Sequence, residues 1–136
     1  MMPRTPRVLA AFALVLAGCS DLTGSGLTGR WATEGLELSA SALQSELRLP
    51  CATVASLPPL RIDATGHFEL SGPASHTYGS FIIVLRGQVV RDTIQADVTM
   101  LADGARPMTT HYVLVRGADP AFERFGCLGS ARLGAA

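Results

Sequence analysis

Along most of this 136-residue chain the apolar residues recur at every second position, and that period allows one kind of element only: a strand with one dry face and one wet face. Leu36, Leu38 and Ala40 alternate with Glu37 and Ser39, and Leu47 and Leu49 alternate with Glu46 and Arg48. Leu60 and Ile62 alternate with Arg61 and Asp63, and Phe68 and Leu70 with His67, Glu69 and Ser71. Ile94, Ala96, Val98 and Met100 alternate with Gln95, Asp97 and Thr99, and Tyr112 and Leu114 with Val113 and Val115. Residues 81–85 are apolar throughout, and their β-branched content with glycines nearby favours a buried strand over a helix.

Turn chemistry punctuates these runs. Asp63-Ala64-Thr65-Gly66 and Ala102-Asp103-Gly104 read as turns, and the first predicts a hairpin between the strands on either side of it. Gly35 reads as a bulge or bend that resets the register between Trp31 and Leu36. Pro50 ends a strand. Residues 39–46 fit one helical turn or a loop, and residues 122–127 add a last strand. No helical period and no internal repeat is present. Seven or eight short strands at this spacing predict an all-β fold, a small antiparallel barrel or sandwich, and the meander order favours the barrel.

The N-terminus has a separate logic. Arg4 and Arg7 precede an apolar run over residues 8–16, and small residues follow at once. A positive start, a short apolar stretch and a small-residue cut site define a secretory signal. The run is about half of the roughly 20 residues a spanning helix needs. Leu16-Ala17-Gly18-Cys19 resembles the lipobox of bacterial lipoproteins. That resemblance implies cleavage after residue 18, a diacylglycerol on the Cys19 thiol and further acylation of the new amino group. A single acyl chain binds a membrane only marginally, whereas two or more hold it firmly. Ser20 stands where an Asp favours inner-membrane retention in proteobacterial lipoproteins, so the outer membrane is favoured, with Asp21 one place later as a weaker contrary sign. Residues 19–28, rich in Gly, Ser and Thr, read as a lipidated flexible tether. Residues 29–129 form a single β-domain, and 130–136 a disordered tail. Without residues 1–18 the chain is still one domain's worth.

Export also resolves the cysteines. The chain has three, an odd count for a secreted protein. Lipidation takes Cys19 and leaves Cys51 and Cys127, which an oxidising compartment joins. Charge excludes one class of partner. All eleven basic residues are Arg, two of which leave with the signal peptide, so nine Arg face eleven acidic residues. No basic stripe exists to neutralise phosphates, and nucleic acid is not expected as a partner.

Two resemblances bear on the β-domain. Gly29-Arg30-Trp31 is similar to the Gly-x-Trp at the start of the first lipocalin strand, where the tryptophan closes one barrel end beneath an arginine from the last strand. Arg116 is placed late enough for that part, so Trp31 and Arg116 are the expected plug of a calycin-like barrel. More broadly, the order of Gly-x-Trp, a cysteine, Pro59-Leu60-Arg61-Ile62-Asp63-Ala64-Thr65-Gly66-His67-Phe68, a Tyr-Val-Leu-Val-Arg-Gly strand and a terminal Gly-Cys-Leu resembles a group of small, uncharacterised secreted bacterial β-proteins. It implies the fold and no chemistry.

Nothing in the sequence predicts an active site. His67 and Glu69 share one strand face while His76 and His111 lie elsewhere, short of the three or four convergent ligands zinc needs. Asp63, Asp92 and Asp97 lack the spacing of a calcium loop, and Asp63 reads as a turn residue. No serine sits in a Gly-x-Ser-x-Gly context. The expectation is a non-catalytic protein without metal or cofactor. It is a lipid-anchored binding or interaction module whose partner is an envelope protein. The alternative is a carrier of a small apolar ligand inside the barrel. A cavity of roughly 300 Å³ lined by apolar groups favours the carrier; a filled core with an exposed apolar patch favours the interaction module.

Overall fold

The computed structural model describes residues 25–76 and 79–127. Ten strands appear in this order: β1 (Ser25–Gly26), β2 (Gly29–Thr33), β3 (Leu36–Ala40), β4 (Ser45–Leu49), β5 (Thr53–Leu57), β6 (Arg61–Ile62), β7 (His67–His76), β8 (Gly79–Val90), β9 (Thr93–Leu101) and β10 (Met108–Arg116). Eight of them close into an antiparallel meander barrel of calycin-like form, in the order β10-β2-β3-β4-β5-β7-β8-β9. The barrel joins a half of five-residue strands, β2 to β5, to a half of strands nine to twelve residues long, β7 to β10.

The two-residue period becomes an inside and an outside. Trp31, Leu36, Leu38, Leu47, Leu57, Phe68, Leu70, Ile83, Leu85, Ile94, Val98 and Leu114 form the core, each less than 9% exposed. An eight-stranded barrel is just wide enough for such side chains to fill. The outer wall carries charge in register. Glu69 lies opposite Arg86, Arg86 opposite Asp97, and Asp97 opposite His111, an alternating row across four strands. Directly opposed unlike charges favour that register. Apolar inside and charged outside is the polarity of a barrel surrounded by water, the reverse of one that spans a bilayer.

Several expectations need correction. Gly35 is no bulge: with φ +80° it forms the two-residue turn Glu34-Gly35 between β2 and β3, where positive φ suits glycine. Residues 60–62 do not make a hairpin with residues 67–70. Arg61–Ile62 pairs instead with Ser25–Gly26 in a separate two-stranded ribbon. The neighbours of β7 in the barrel are β8 and β5, and β5 carries little sequence signal because Ala55 and Thr53 are weak apolar markers at its inward positions. The tether does not run to Thr28 as a free linker, since Ser25–Gly26 is paired and the Leu27 amide donates to the Leu60 carbonyl at 2.9 Å. Leu27 packs on the core, which outweighs the flexible composition around it. Residues 122–127 are not a strand; Phe122–Arg124 is a single 3₁₀ turn. Residues 41–44 form a loop held by Ser41, whose hydroxyl accepts from the amides of Leu43 and Gln44. The signal peptide, the lipidation site Cys19 and the tail at 130–136 lie outside the described residues.

Candidate functional site

One end of the barrel is closed by a tryptophan and an arginine. Trp31 is 1% exposed and points inward from β2, while Arg116 lies directly opposite it at the end of β10. The guanidinium carbon sits 4.9 Å from the indole centroid, within cation–π range. Its Nη2 donates to the Thr28 carbonyl at 3.1 Å. Gly29 makes this arrangement possible. Its φ of +146° is disfavoured for side chains, and a Cβ there would lie 3.0 Å from both Arg116 Nη2 and Trp31 Cη2. Each member of the Gly-x-Trp triplet therefore has a physical part: glycine gives space, tryptophan fills it, and the intervening Arg30 faces out. Leu27 and the fully buried Leu60 belong to the same core and are joined by the hydrogen bond from the Leu27 amide to the Leu60 carbonyl.

A second structure locks the C-terminal segment to the barrel's outside. After β10 the Gly117 amide donates to Arg30, and further on the Gly35 amide donates to the Pro120 carbonyl at 2.7 Å. The Phe125 ring fills the space beside Gly35, and Cys51 and Cys127 form the disulfide, Cα atoms 5.4 Å apart. The chain thus crosses β2 and β3 as a strap. Ala32 and Glu37, opposite one another on this outer face, are buried. Strand alternation alone marks Glu37 as a wet residue; in fact it lies between Arg30 (3.7 Å) and Arg48 (3.8 Å). No local pattern signals that burial, because Arg48 is brought beside Glu37 only by the pairing of β3 with β4.

The candidate ligand residues divide. His67, Glu69, Asp97 and His111 do line one shallow outer depression of about 350 Å³, over the backbone of Gly87. It is open to solvent and lined mainly by polar and charged residues, so it is not the enclosed apolar chamber a carrier needs. Its charged groups already satisfy one another: Arg86 Nε donates to Glu69 at 3.0 Å, and His111 Nδ1 and Asp97 are 2.8 Å apart. His76 stands away from them at the end of β7. Among the described residues no three His, Cys, Asp or Glu side chains are grouped as metal ligands, and no helix is long and apolar enough to cross a membrane. Asp63 is the expected turn residue: it accepts from the Thr65 amide, the Thr65 hydroxyl and the His67 amide. The Thr65 hydroxyl above all, with the His67 amide, holds its carboxyl below the ordinary 3.8.

The end of β10 remote from Arg116 is apolar and exposed. Ile82 and Leu101 are opposed on the outer wall at 43% and 38% exposure, and Met108, opposite Met100, is 68% exposed. Inside, two buried polar atoms, Trp31 Nε1 and Ser45 Oγ, have no hydrogen-bond partner among the described residues. Comparison with protein-family models, curated proteins and solved structures found no match to this chain.

Proposed function

We propose that the chain is exported, lipidated at Cys19 and anchored to the outer membrane of a bacterial envelope, where its barrel works as a non-catalytic module that binds another envelope protein. The observation that carries this reading is the exposure of Met108, Leu101 and Ile82 at the barrel end remote from Trp31 and Arg116. Exposed apolar groups at one end of a barrel, here Ile82 and Leu101 on the outer wall and Met108 on the inward-facing register of β10, mark a contact surface. The lipobox-like Leu16-Ala17-Gly18-Cys19 supports the anchor.

A photo-crosslinking residue at Met108, in cells expressing the whole chain, tests the rim. A discrete adduct is expected from position 108 and none from position 65, at the opposite end of the barrel, and Leu101→Asp should abolish it. Equal adducts from both positions would refute the reading. Cys19→Ala should release the protein from membranes.

The carrier is a second reading because Trp31 and Arg116 close one end of the barrel, so that a ligand would enter from the other. Native mass spectrometry of the purified chain decides it: a retained apolar molecule that quenches Trp31 supports the carrier, and its absence favours the interaction module.

A further inference from the structure

The two halves of the barrel meet unequally. β10 pairs with β9 over eight positions, from Met108 to Val115, but with β2 only through Val115 and Arg116. Over most of its length it is therefore paired on one side, although the barrel is closed. The direction of its backbone groups follows from two hydrogen bonds. The Gly117 amide donates to Arg30 of the β2 side, and the Arg116 amide to Asp92 of the β9 side. In an antiparallel ladder these directions alternate. The N–H and C=O groups of Thr109, His111 and Val113 therefore point to the β2 side, where among the described residues no strand receives them.

We infer that this edge pairs with the same edge of a second copy, so that two barrels share a sheet through antiparallel β10 strands. Unpaired N–H and C=O groups in a row recognise another strand before any other chemistry. A second copy fits for two reasons. In a two-fold antiparallel pair residue i meets j and j meets i, and the residue on the axis meets itself, so a fixed charge on or beside the axis would lie close to its own copy. Met108 to Val115 contains no Asp, Glu, Lys or Arg, and its one imidazole, on His111, is held by Asp97 on its own barrel. The register is also self-matching. Centred on His111, it sets Thr109 against Val113 of the other copy, His111 against His111 and Val113 against Thr109. All three residues with free backbone groups are then used. Pro107 would block a register shifted towards the loop, since it has no N–H to offer. The edge also lacks the charges and internal prolines that usually protect an exposed strand. The inference concerns main-chain groups, whereas the proposed envelope partner rests on side chains of the apolar rim; Met108 adjoins both, so a position-108 adduct to a second copy reports the edge and one to a different protein reports the rim.

Sedimentation velocity of the purified full chain across a thousand-fold concentration range, with hydrogen exchange at each end of the range, tests this. A reversible monomer–dimer equilibrium is expected, with amide exchange at Thr109, His111 and Val113 slowed at least tenfold in the dimer. Val113→Pro and His111→Pro each remove a donor that β9 does not use, and should shift dissociation by tenfold or more while the melting curve keeps its cooperativity. Should either variant unfold, the exchange measurement on the wild-type chain still decides. A chain that is monomeric throughout overturns the inference, as does a dimer protected elsewhere. Protection of these amides only when envelope extract is added to a monomer overturns it in favour of a foreign strand.

Discussion

Arg116 lies across from Trp31 at the seam where the last barrel strand meets the first, its guanidinium 4.9 Å from the indole centroid. The ring is buried and the arginine largely exposed, so the contact is worth about 0.5–1 kcal/mol of the cation–π range. Arg116→Ala should lower unfolding free energy by roughly that amount and red-shift Trp31 emission as water reaches the ring. Gly29→Ala should cost more, roughly 1–3 kcal/mol, because it strains the backbone and also intrudes on both partners. Equilibrium urea unfolding monitored by fluorescence measures both; no change in either variant would mean that the plug contributes nothing.

The disulfide should act mainly through the strap. Cys51 and Cys127 are separated by 76 positions, and closing a loop of that size removes roughly 4–5 kcal/mol of unfolded-chain entropy on the loop-closure model. The double variant Cys51→Ala/Cys127→Ala should lose a comparable stability. It should also speed exchange of the Gly35 amide, which the strap holds through Pro120, while amides of the β7–β8–β9 ladder stay protected below global unfolding. Uniform loss of protection would show that the strap is not a separate unit.

Ser45 predicts the opposite sign. Its hydroxyl is 1% exposed with no partner, so it gives up water without compensation. Ser45→Ala should be neutral or stabilising by up to about 1 kcal/mol, read as an unchanged or raised melting temperature. A clear loss would reveal a hydrogen bond to ordered water.

Asp63 sets a pH dependence. Its folded-state pKa is lowered, first by the Thr65 hydroxyl and then by the His67 amide, with an opposing push from desolvation and a smaller contribution from the His67 charge. A depressed carboxyl contributes stability that is complete above its unfolded value and is lost as pH falls through the folded one. The turn at 63–67 should therefore hold at pH 4 and loosen below 3.8. Carboxyl NMR titration gives the midpoint directly. In Asp63→Asn that acid-side loosening should vanish, and a midpoint at or above 3.8 in the wild type would contradict the hydrogen-bond geometry.

Which face of each strand is dry was legible in the sequence, because the period of two needs no partner to be read. Leu36, Leu38 and Ala40, or Ile94, Ala96 and Val98, could be assigned inward from spacing alone. The cysteine pair was legible by count, and the Trp31–Arg116 pair through the resemblance of Gly29-Arg30-Trp31 to the lipocalin motif, with Arg116 in the last strand. Tertiary structure decided the rest, wherever the deciding neighbour is remote in sequence. Glu37 reads as an exposed strand residue and is buried between Arg30 and Arg48, on a strand pair to which the C-terminal segment is hydrogen-bonded through Arg30 and Gly35. Gly72 gives no local sign of its importance, yet a Cβ there would collide with the Ser56 carbonyl where β5 meets β7. The free edge of β10 is likewise invisible in Thr109, His111 and Val113. Alternation fixes where side chains point, but which backbone groups find a partner depends on the length of the strand that folding brings alongside, and β2 ends at Thr33.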